Sequence, residues 1–295
     1  MGKRWLTIFL LAASAAAWQT AIVPDVAPAP LDYVCPMDPD IRSDKPGVCP
    51  RCGMTLRLGI PKEIEYPMDL TVTPAAVRPG EKVDLDLRVR NPDTGKPVEK
   101  FQIVHEKLFH LFIVSQDLTY FVHEHPVAEP GGLFRYQETF PKPGLFRVLG
   151  DFYPEGGTPQ LIERTVIVAG EGNSTPVLQP AKLLPDLGRQ HAENMDVELT
   201  TDPVKPIAGM KTLMFFRVNP SEGLEKYIGA WAHMLAVSDD LVDMIHNHPF
   251  LADGGPLLQF NMIFPRARTY RVWVQFERKG VVNTVAFNVP VVDLE

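Results

Sequence analysis

The stretch HLFIVSQDLTYFVHEHP, residues 110–126, recurs as HMLAVSDDLVDMIHNHP at residues 233–249. The two stretches align without a gap at a constant offset of 123 positions (233 minus 110). Each has short apolar runs on both sides of a polar segment, SQDL or SDDL, which is the pattern of a β-hairpin. A gapless match of this length indicates that one fold has been duplicated within the chain.

The surrounding sequence extends the duplication and predicts its fold class. VEKF (98–101) matches LEKY (224–227), and TFPKPGLFRV (139–148) matches IFPRARTYRV (263–272). Short runs rich in Val, Leu, Phe and Tyr recur about every ten residues between Gly, Pro and Asp, which is typical of antiparallel sandwiches. We therefore predict a mainly β protein with two tandem antiparallel, immunoglobulin-like β-sandwich domains. Their predicted bounds are 64–170 and 193–295, with a linker at 171–192.

Composition narrows the class of protein. The chain has 295 residues, of which 45% are hydrophobic and 22% charged, an ordinary globular balance. Its formal net charge is −7, and Lys and Arg form no run beyond the first few residues, so the sequence lacks the basic patch that nucleic-acid binding requires. We expect no nucleic-acid partner.

The N-terminus has the pattern of a secretory signal. MGKRW is followed by the apolar run LTIFLLAASAAAW, with small residues suited to cleavage near Ala15 to Ala17. We predict a signal peptide at 1–20 and a Pro-rich linker at 21–30, hence a periplasmic or secreted protein that does not span the membrane after cleavage. An uncleaved anchor is the alternative, but the apolar run is shorter than the ~20 residues that cross a bilayer.

All three cysteines lie in a predicted small Cys-knuckle metal module at residues 31–60. Cys49 and Cys52 form a C-x-x-C pair followed by a Gly, which can hold one soft or borderline ion, and Cys35 can supply a third thiolate. Met37, Asp38 and Met54 are candidates for a fourth ligand. A thioether favours Cu(I) or Ag(I), whereas a carboxylate favours Zn(II). A disulfide between two of the cysteines is the alternative.

This segment, YVCPMDPDIRSDKPGVCPRCGMTL at 33–56, resembles the heavy-metal-binding domain of copper-transporting P-type ATPases and of some metal-efflux adaptor proteins. The resemblance implies a metal-binding role, most naturally for copper. Members of that family commonly carry His where this chain has Asp38, which leaves the fourth ligand and the preferred metal open.

Six of the eight histidines fall within the duplicated hairpins. In a strand, residues two apart share a face, so the two histidines of each H-x-H pair can converge on one ion. If the numbers of two residues paired across the hairpin sum to an odd value, the first histidine of each hairpin lies on the same face as the H-x-H pair. The candidate second metal sites are His110, His123 and His125, and His233, His246 and His248. A purely structural role is the alternative. His105 and His191 have no counterpart in the other copy, and we expect them to be incidental.

The two repeats also resemble YtkA-like secreted β-sandwich domains, through the His-x-His-Pro hairpin, and this implies an antiparallel sandwich and a metal-related context. The sequence has no nucleophile elbow, phosphate loop or zinc-protease helix, so no enzyme activity is expected. We predict an extracytoplasmic protein of metal homeostasis or resistance that binds Cu(I), or alternatively silver or zinc. A metal exporter or another envelope protein is a candidate partner. The alternative is an envelope interaction protein with a structural zinc module.

Overall fold

The computed structural model describes residues 33–38, 41–59, 64–155, 157–170 and 180–294. The predicted signal peptide and Pro-rich linker, and residues 171–179 of the second linker, lie outside the described residues. Within those ranges every regular secondary-structure element is a β-strand. None of the described residues forms a helix that is long and apolar enough to cross a membrane. The cysteine segment forms a small antiparallel sheet in the order β2-β1-β3, with β1 at Tyr33–Val34, β2 at Arg42–Ser43 and β3 at Arg57–Leu58.

The first repeat is a sandwich of two four-stranded antiparallel sheets, in the orders β4-β5-β9-β8 and β11-β10-β6-β7. Its strands are β4 (Met68–Thr73), β5 (Lys82–Val89), β6 (Phe109–Ser115), β7 (Phe121–Glu124), β8 (Val127–Glu129), β9 (Leu133–Thr139), β10 (Gly144–Phe152) and β11 (Gln160–Val168). Strand β5 shows why the sheets close on each other: Val83, Leu85 and Leu87 are fully buried, while Asp84 and Asp86 between them are not. This period of two gives the sheet one apolar face for the core.

The second repeat has the same arrangement. One sheet has the order β12-β13-β14-β18, and the other has the order β15-β19-β16-β17 with β20 also paired to β19. The strands are β12 (Gln190–His191), β13 (Asp196–Asp202), β14 (Lys211–Asn219), β15 (Leu224–Glu225), β16 (His233–Ser238), β17 (Met244–Asn247), β18 (Leu257–Ile263), β19 (Thr269–Arg278) and β20 (Val281–Pro290). The predicted fold class, a Cys module followed by two tandem β-sandwiches, is confirmed.

The two sandwiches pack against each other through their histidine-bearing sheets. All residues of β6 and of β16 are buried, because each strand has one face in its own core and the other in the contact between repeats. A separate apolar cluster fills that contact: Phe112, Val114, Leu118, Leu145, Leu149, Leu235, Val237, Leu241 and Trp273. Phe121 of the first repeat stacks on Trp273 of the second, with ring centroids 5.0 Å apart.

The cysteine module rests on both repeats. Its buried cysteines share an apolar cluster with Val104 and Tyr153 of the first repeat. The guanidinium of Arg51 lies 4.4 Å from the ring centroid of Phe250 in the second repeat. The module is thus held against the contact between the repeats, on the side where the hairpins carry their histidines.

Shortening a side chain that is buried in the contact between repeats should destabilise the protein, whereas shortening an exposed side chain should not. Leu149 is fully buried in that contact, whereas Leu184 is 81% exposed. We expect Leu149→Ala to lower the free energy of unfolding by ~2–5 kcal/mol, because it removes buried methyl groups and leaves a cavity. Leu184→Ala should change it by less than ~0.5 kcal/mol. Urea unfolding of both variants measures this; equal effects would contradict the packing described.

Candidate metal centres

The three cysteines and Asp38 converge on one point. Cys35 Sγ lies 3.5 Å from Cys52 Sγ, and the Oδ2 of Asp38 lies 3.3 Å from Cys49 Sγ and 3.8 Å from Cys35 Sγ. The four ligand atoms all lie within 4.8 Å of one another, and all three cysteines are free thiols. Thiolates bound to one ion at about 2.3 Å lie roughly 3.5–4 Å apart, so the set fits a single tetrahedral ion.

The local backbone explains this convergence. The Cys49 N–H donates to Met54 O at 2.7 Å and the Gly53 N–H donates to Cys49 O at 2.9 Å, which closes the knuckle around the C-x-x-C pair. Gly53 has a φ of +76°, the left-handed conformation that glycine adopts without strain. In the facing turn, the Asp38 N–H donates to Cys35 Sγ at 3.2 Å, and this bond places the Asp38 carboxylate beside the thiols.

Asp38 is therefore the fourth residue of the set. Its Oδ2 faces the thiols while its Oδ1 accepts a hydrogen bond from Arg51 at 2.9 Å, which fixes the carboxylate orientation. The other two candidates, Met37 and Met54, belong to the apolar cluster that surrounds the cysteines, where Met54 is 1% exposed.

One thiolate is already favoured. The hydrogen bond from Cys52, opposed by burial and aided by backbone N–H groups, lowers the pKa of Cys35 to about 6. The same shared proton, together with burial, raises the pKa of Cys52. Burial also raises the pKa of Cys49. Burial thus opposes ionisation of all three thiols together, and a bound cation would allow the remaining thiols to ionise.

Asp38→Ala tests the carboxylate as a ligand, and Asp44→Ala is the matched control, since Asp44 is exposed in the same module. We expect Asp38→Ala to weaken Zn(II) binding at the cysteine site at least about tenfold, because a hard oxygen ligand is lost. Competition with a chromophoric chelator measures the affinity, and the visible bands of Co(II)-loaded protein report its coordination. Equal affinities for the two variants would exclude Asp38 from the ligand set.

The two histidine hairpins have the register that brings three imidazoles together. Phe112 pairs with His123 between β6 and β7, and Leu235 pairs with His246 between β16 and β17. The numbers of the paired residues sum to an odd value in both hairpins. Two residues further from the turn, this register sets His110 opposite His125 and His233 opposite His248. His110 Nδ1 lies 3.2 Å from both His123 Nε2 and His125 Nε2, and His233 Nδ1 lies 3.0 Å from His248 Nε2. We call these sets the first triad and the second triad.

Hydrogen bonds fix the tautomer of the first histidine in each triad. His110 Nε2 donates to the backbone oxygen of Val104 at 3.1 Å, and His233 Nε2 donates to that of Tyr227 at 2.9 Å. A carbonyl oxygen only accepts, so Nε2 carries the proton and Nδ1 presents a lone pair to its triad. This is how the histidine ligands of metal sites are usually oriented.

The middle histidine of each triad is held by the opposite repeat. His123 Nδ1 donates to Gln275 Oε1 at 2.7 Å, and His246 Nδ1 is bonded to the Asp151 carboxylate. With Nδ1 as the donor, a neutral imidazole carries its lone pair on Nε2, and His123 Nε2 lies 3.2 Å from His110 Nδ1. His246 Nε2 is buried and has no hydrogen-bond partner among the described residues, on a side chain only 3% exposed. A buried polar atom without a partner is costly unless an ion binds it, and the ring nitrogens that converge in each triad fit a metal ion.

Burial favours the neutral form of five of the triad histidines, and the neutral imidazole is the form that binds metal. It lowers the pKa of His110 to about 4 and that of His125 to about 3, with nearby histidines adding to the effect. The pKa values of His123, His233 and His248 are lowered well below their usual range for the same reasons. Burial raises the pKa of Asp151, but the hydrogen bond from His246 outweighs it, and the net pKa is lowered.

The triads face each other across the contact between repeats. Ring centroids of His110 and His123 lie 5.3 to 6.0 Å from those of His233 and His246. His105, expected to be incidental, lies against the second triad, with its centroid 3.8 Å from that of His248 and 5.5 Å from that of His233. His191 is exposed and bonded to Asp196. No sequence signal pointed to this contact of His105, because duplication was the signal that identified the other six histidines.

The cysteine and histidine centres adjoin the same open spaces. One cavity of about 500 Å³ is lined by Cys52, His105 and His248, and another, of about 730 Å³, is lined by Cys35, Asp151 and His246. Together these residues define a metal-binding class of protein, in which two histidine-bearing β-sandwiches support a thiol-rich module.

Comparison with family models agrees with this class. Residues 63–170 and 190–293 each match the family described as domain of unknown function DUF8832, and residues 33–57 match the heavy metal binding domain. The DUF8832 matches cover more than half of the chain, so the chain belongs to that family. The duplication and the heavy-metal-binding resemblance predicted from the sequence are confirmed.

One curated relative is a copper-transporting P-type ATPase from Rhizobium leguminosarum bv. viciae, 51% identical over 47 residues. That match covers 15% of this chain and 6% of the ATPase, so this chain spans only a small part of its relative. Among solved structures, the chain is similar to the Yersinia pseudotuberculosis adhesin InvE (9% identity, 76% of this chain and 60% of that one, TM-score 0.25). It is also similar to the Escherichia coli adhesin FdeC (13% identity, 80% and 69%, TM-score 0.25).

Proposed function

We propose that this protein is an extracytoplasmic copper-binding protein of metal homeostasis or resistance, and that it captures Cu(I) at Cys35, Cys49 and Cys52. The observation that carries the proposal is the convergence of three free, buried thiols, with Cys35 Sγ 3.5 Å from Cys52 Sγ and Asp38 beside them. Thiolate sulfur is the ligand type that selects soft ions. Ag(I), which shares this chemistry, is expected to bind at the same place.

Three further features support copper and an exported location. The heavy metal binding domain matches residues 33–57, and one relative, over 47 residues, is a copper-transporting P-type ATPase. Residues 1–20 have the charge and hydropathy pattern of a signal peptide. The neutral imidazoles of the two triads would supply further metal sites within the same protein. The protein acts in this account as a binding protein rather than an enzyme, with an exporter or another envelope protein as the recipient of its metal.

Asp38 supports a second candidate function. Three thiolates and one carboxylate form a closed tetrahedral set of the kind that holds structural Zn(II). In that case the cysteine module would stabilise the fold. The protein would then be an envelope interaction protein that binds its partner through the sandwiches. The two functions differ in whether Cu(I) displaces zinc from the cysteine site.

Anaerobic Cu(I) competition titration distinguishes the two functions. We expect the mature protein to bind Cu(I) tightly and to release any Zn(II) as it does so, because thiolates prefer the softer ion. The variant with Cys35, Cys49 and Cys52 all changed to Ser should lose at least one tightly bound equivalent. Circular dichroism of both proteins verifies that the sandwiches remain folded.

Retention of one Zn(II) at excess Cu(I), with no copper equivalent that depends on the cysteines, would reject the copper proposal and favour the structural zinc function. Any copper that remains on the Ser variant is expected at the histidine triads.

A further inference from the structure

We propose that the first and second triads form one coupled two-ion centre for divalent ions such as Zn(II) or Cu(II), in which the first ion bound weakens the binding of the second. Each triad supplies three ring nitrogens that lie within 4.8 Å of one another, which is a ligand set for an ion of its own. The inference rests on the proposed metal binding of the triads, and it does not depend on metal capture by the cysteines.

Ring distances across the contact between repeats set an upper limit on the separation of the two ions. The ring centroid of His123 in the first triad lies 5.3 Å from that of His233 in the second. An ion bound about 2.0–2.1 Å from a ring nitrogen lies about 3.2 Å from the centroid of that ring. Two ions bound to these rings are therefore at most about 12 Å apart, in whichever direction the ligand nitrogens point.

The hydrogen bonds of the middle histidines cross from one triad to the other. His246 of the second triad is bonded to Asp151, and Asp151 pairs with His110 of the first triad between neighbouring strands. Reciprocally, His123 of the first triad donates to Gln275 Oε1 at 2.7 Å, and Gln275 pairs with the first histidine of the second triad. Each triad is thus oriented by a residue that lies beside the other triad, so the two ligand sets are held together as one unit.

The side chains between the two triads are buried, which strengthens the interaction between two bound ions. His110, His123 and His233 are buried, and the side chain of His246 is only 3% exposed. Buried charges are screened by solvent and salt less than exposed charges are. Two divalent ions about 12 Å apart repel enough to weaken the second binding step about tenfold even at the dielectric constant of water. A shorter separation or a lower dielectric constant increases this factor.

The test uses the full chain with all three cysteines changed to Ser, so that the thiols no longer bind metal. His125→Ala disables the first triad and His248→Ala disables the second, and the two variants are matched because these residues occupy the same position in the duplicated hairpins. Competition with a chromophoric chelator measures Zn(II) affinity with both triads intact and in each single-triad variant. We expect the second Zn(II) to bind at least about tenfold more weakly than the same triad binds Zn(II) when the other is disabled.

The charge of the ion distinguishes electrostatic coupling from a conformational one. Coulomb repulsion scales with the product of the two charges, so the same titrations with Ag(I) should give about one quarter of the coupling free energy found with Zn(II). A change of conformation on binding would not follow the charge of the ion. Equal coupling free energies for Ag(I) and Zn(II) would overturn the proposal.

Electron paramagnetic resonance of Cu(II) tests the separation of the two ions without any substitution in the triads. We expect the spectrum at two Cu(II) equivalents to be broadened by the magnetic dipole of the neighbouring ion. The spectrum with one Cu(II) and one Zn(II) equivalent should not be broadened, because Zn(II) is diamagnetic. This comparison keeps the proposal testable if His125→Ala or His248→Ala fails to fold.

Three other results would each overturn the proposal. They are equal Zn(II) affinities of a triad with and without the other, an unbroadened spectrum at two Cu(II) equivalents, and failure of both single-triad variants to bind Zn(II). None of them bears on copper capture by the cysteines, which the comparison of the wild-type protein with the Ser variant tests separately.

Discussion

The face-to-face packing of the two histidine-bearing sheets is the contact on which every histidine centre in this protein depends. It is formed by an apolar cluster that includes Phe112, Leu149 and Trp273, and it buries His110, His123 and His233. Burial favours the neutral form of these imidazoles, and it also makes an unpaired nitrogen such as His246 Nε2 costly. The same packing carries the hydrogen bonds from one repeat to the middle histidine of the other. A metal ion bound here would therefore link stability to metal content.

Duplication has produced two similar sites whose surroundings have diverged. The hairpin register, the carbonyl partners of His110 and His233, and the left-handed turn before them are preserved in both copies. The residues that approach from the other repeat are different: Asp151 in one case and Gln275 in the other. The second triad therefore has a carboxylate bonded to its middle histidine, where the first triad has a neutral amide.

The sequence predicted the sandwiches because strand periodicity and turn residues are local signals. It singled out the six triad histidines because they are duplicated, but it left open the hairpin register that decides whether they share a face. Contacts between residues far apart in the chain had no such signal. The bond between His123 and Gln275 joins residues 152 positions apart, and it depends on how two finished sheets pack. The contact between His105 and His248 had no such signal either, since the two residues lie in different repeats. Asp38, rather than Met37 or Met54, lies with its carboxylate beside the thiols because of the turn at Cys35, which residue types alone do not specify.

The measurement that tests the central claim most directly is an anomalous diffraction map at the copper edge from crystals of the copper-loaded mature protein. The account predicts one peak among Cys35, Cys49, Cys52 and Asp38, and further peaks within the histidine triads at the contact between repeats. Copper found only at exposed residues such as His191, with the three thiols and both triads free of density, would contradict it.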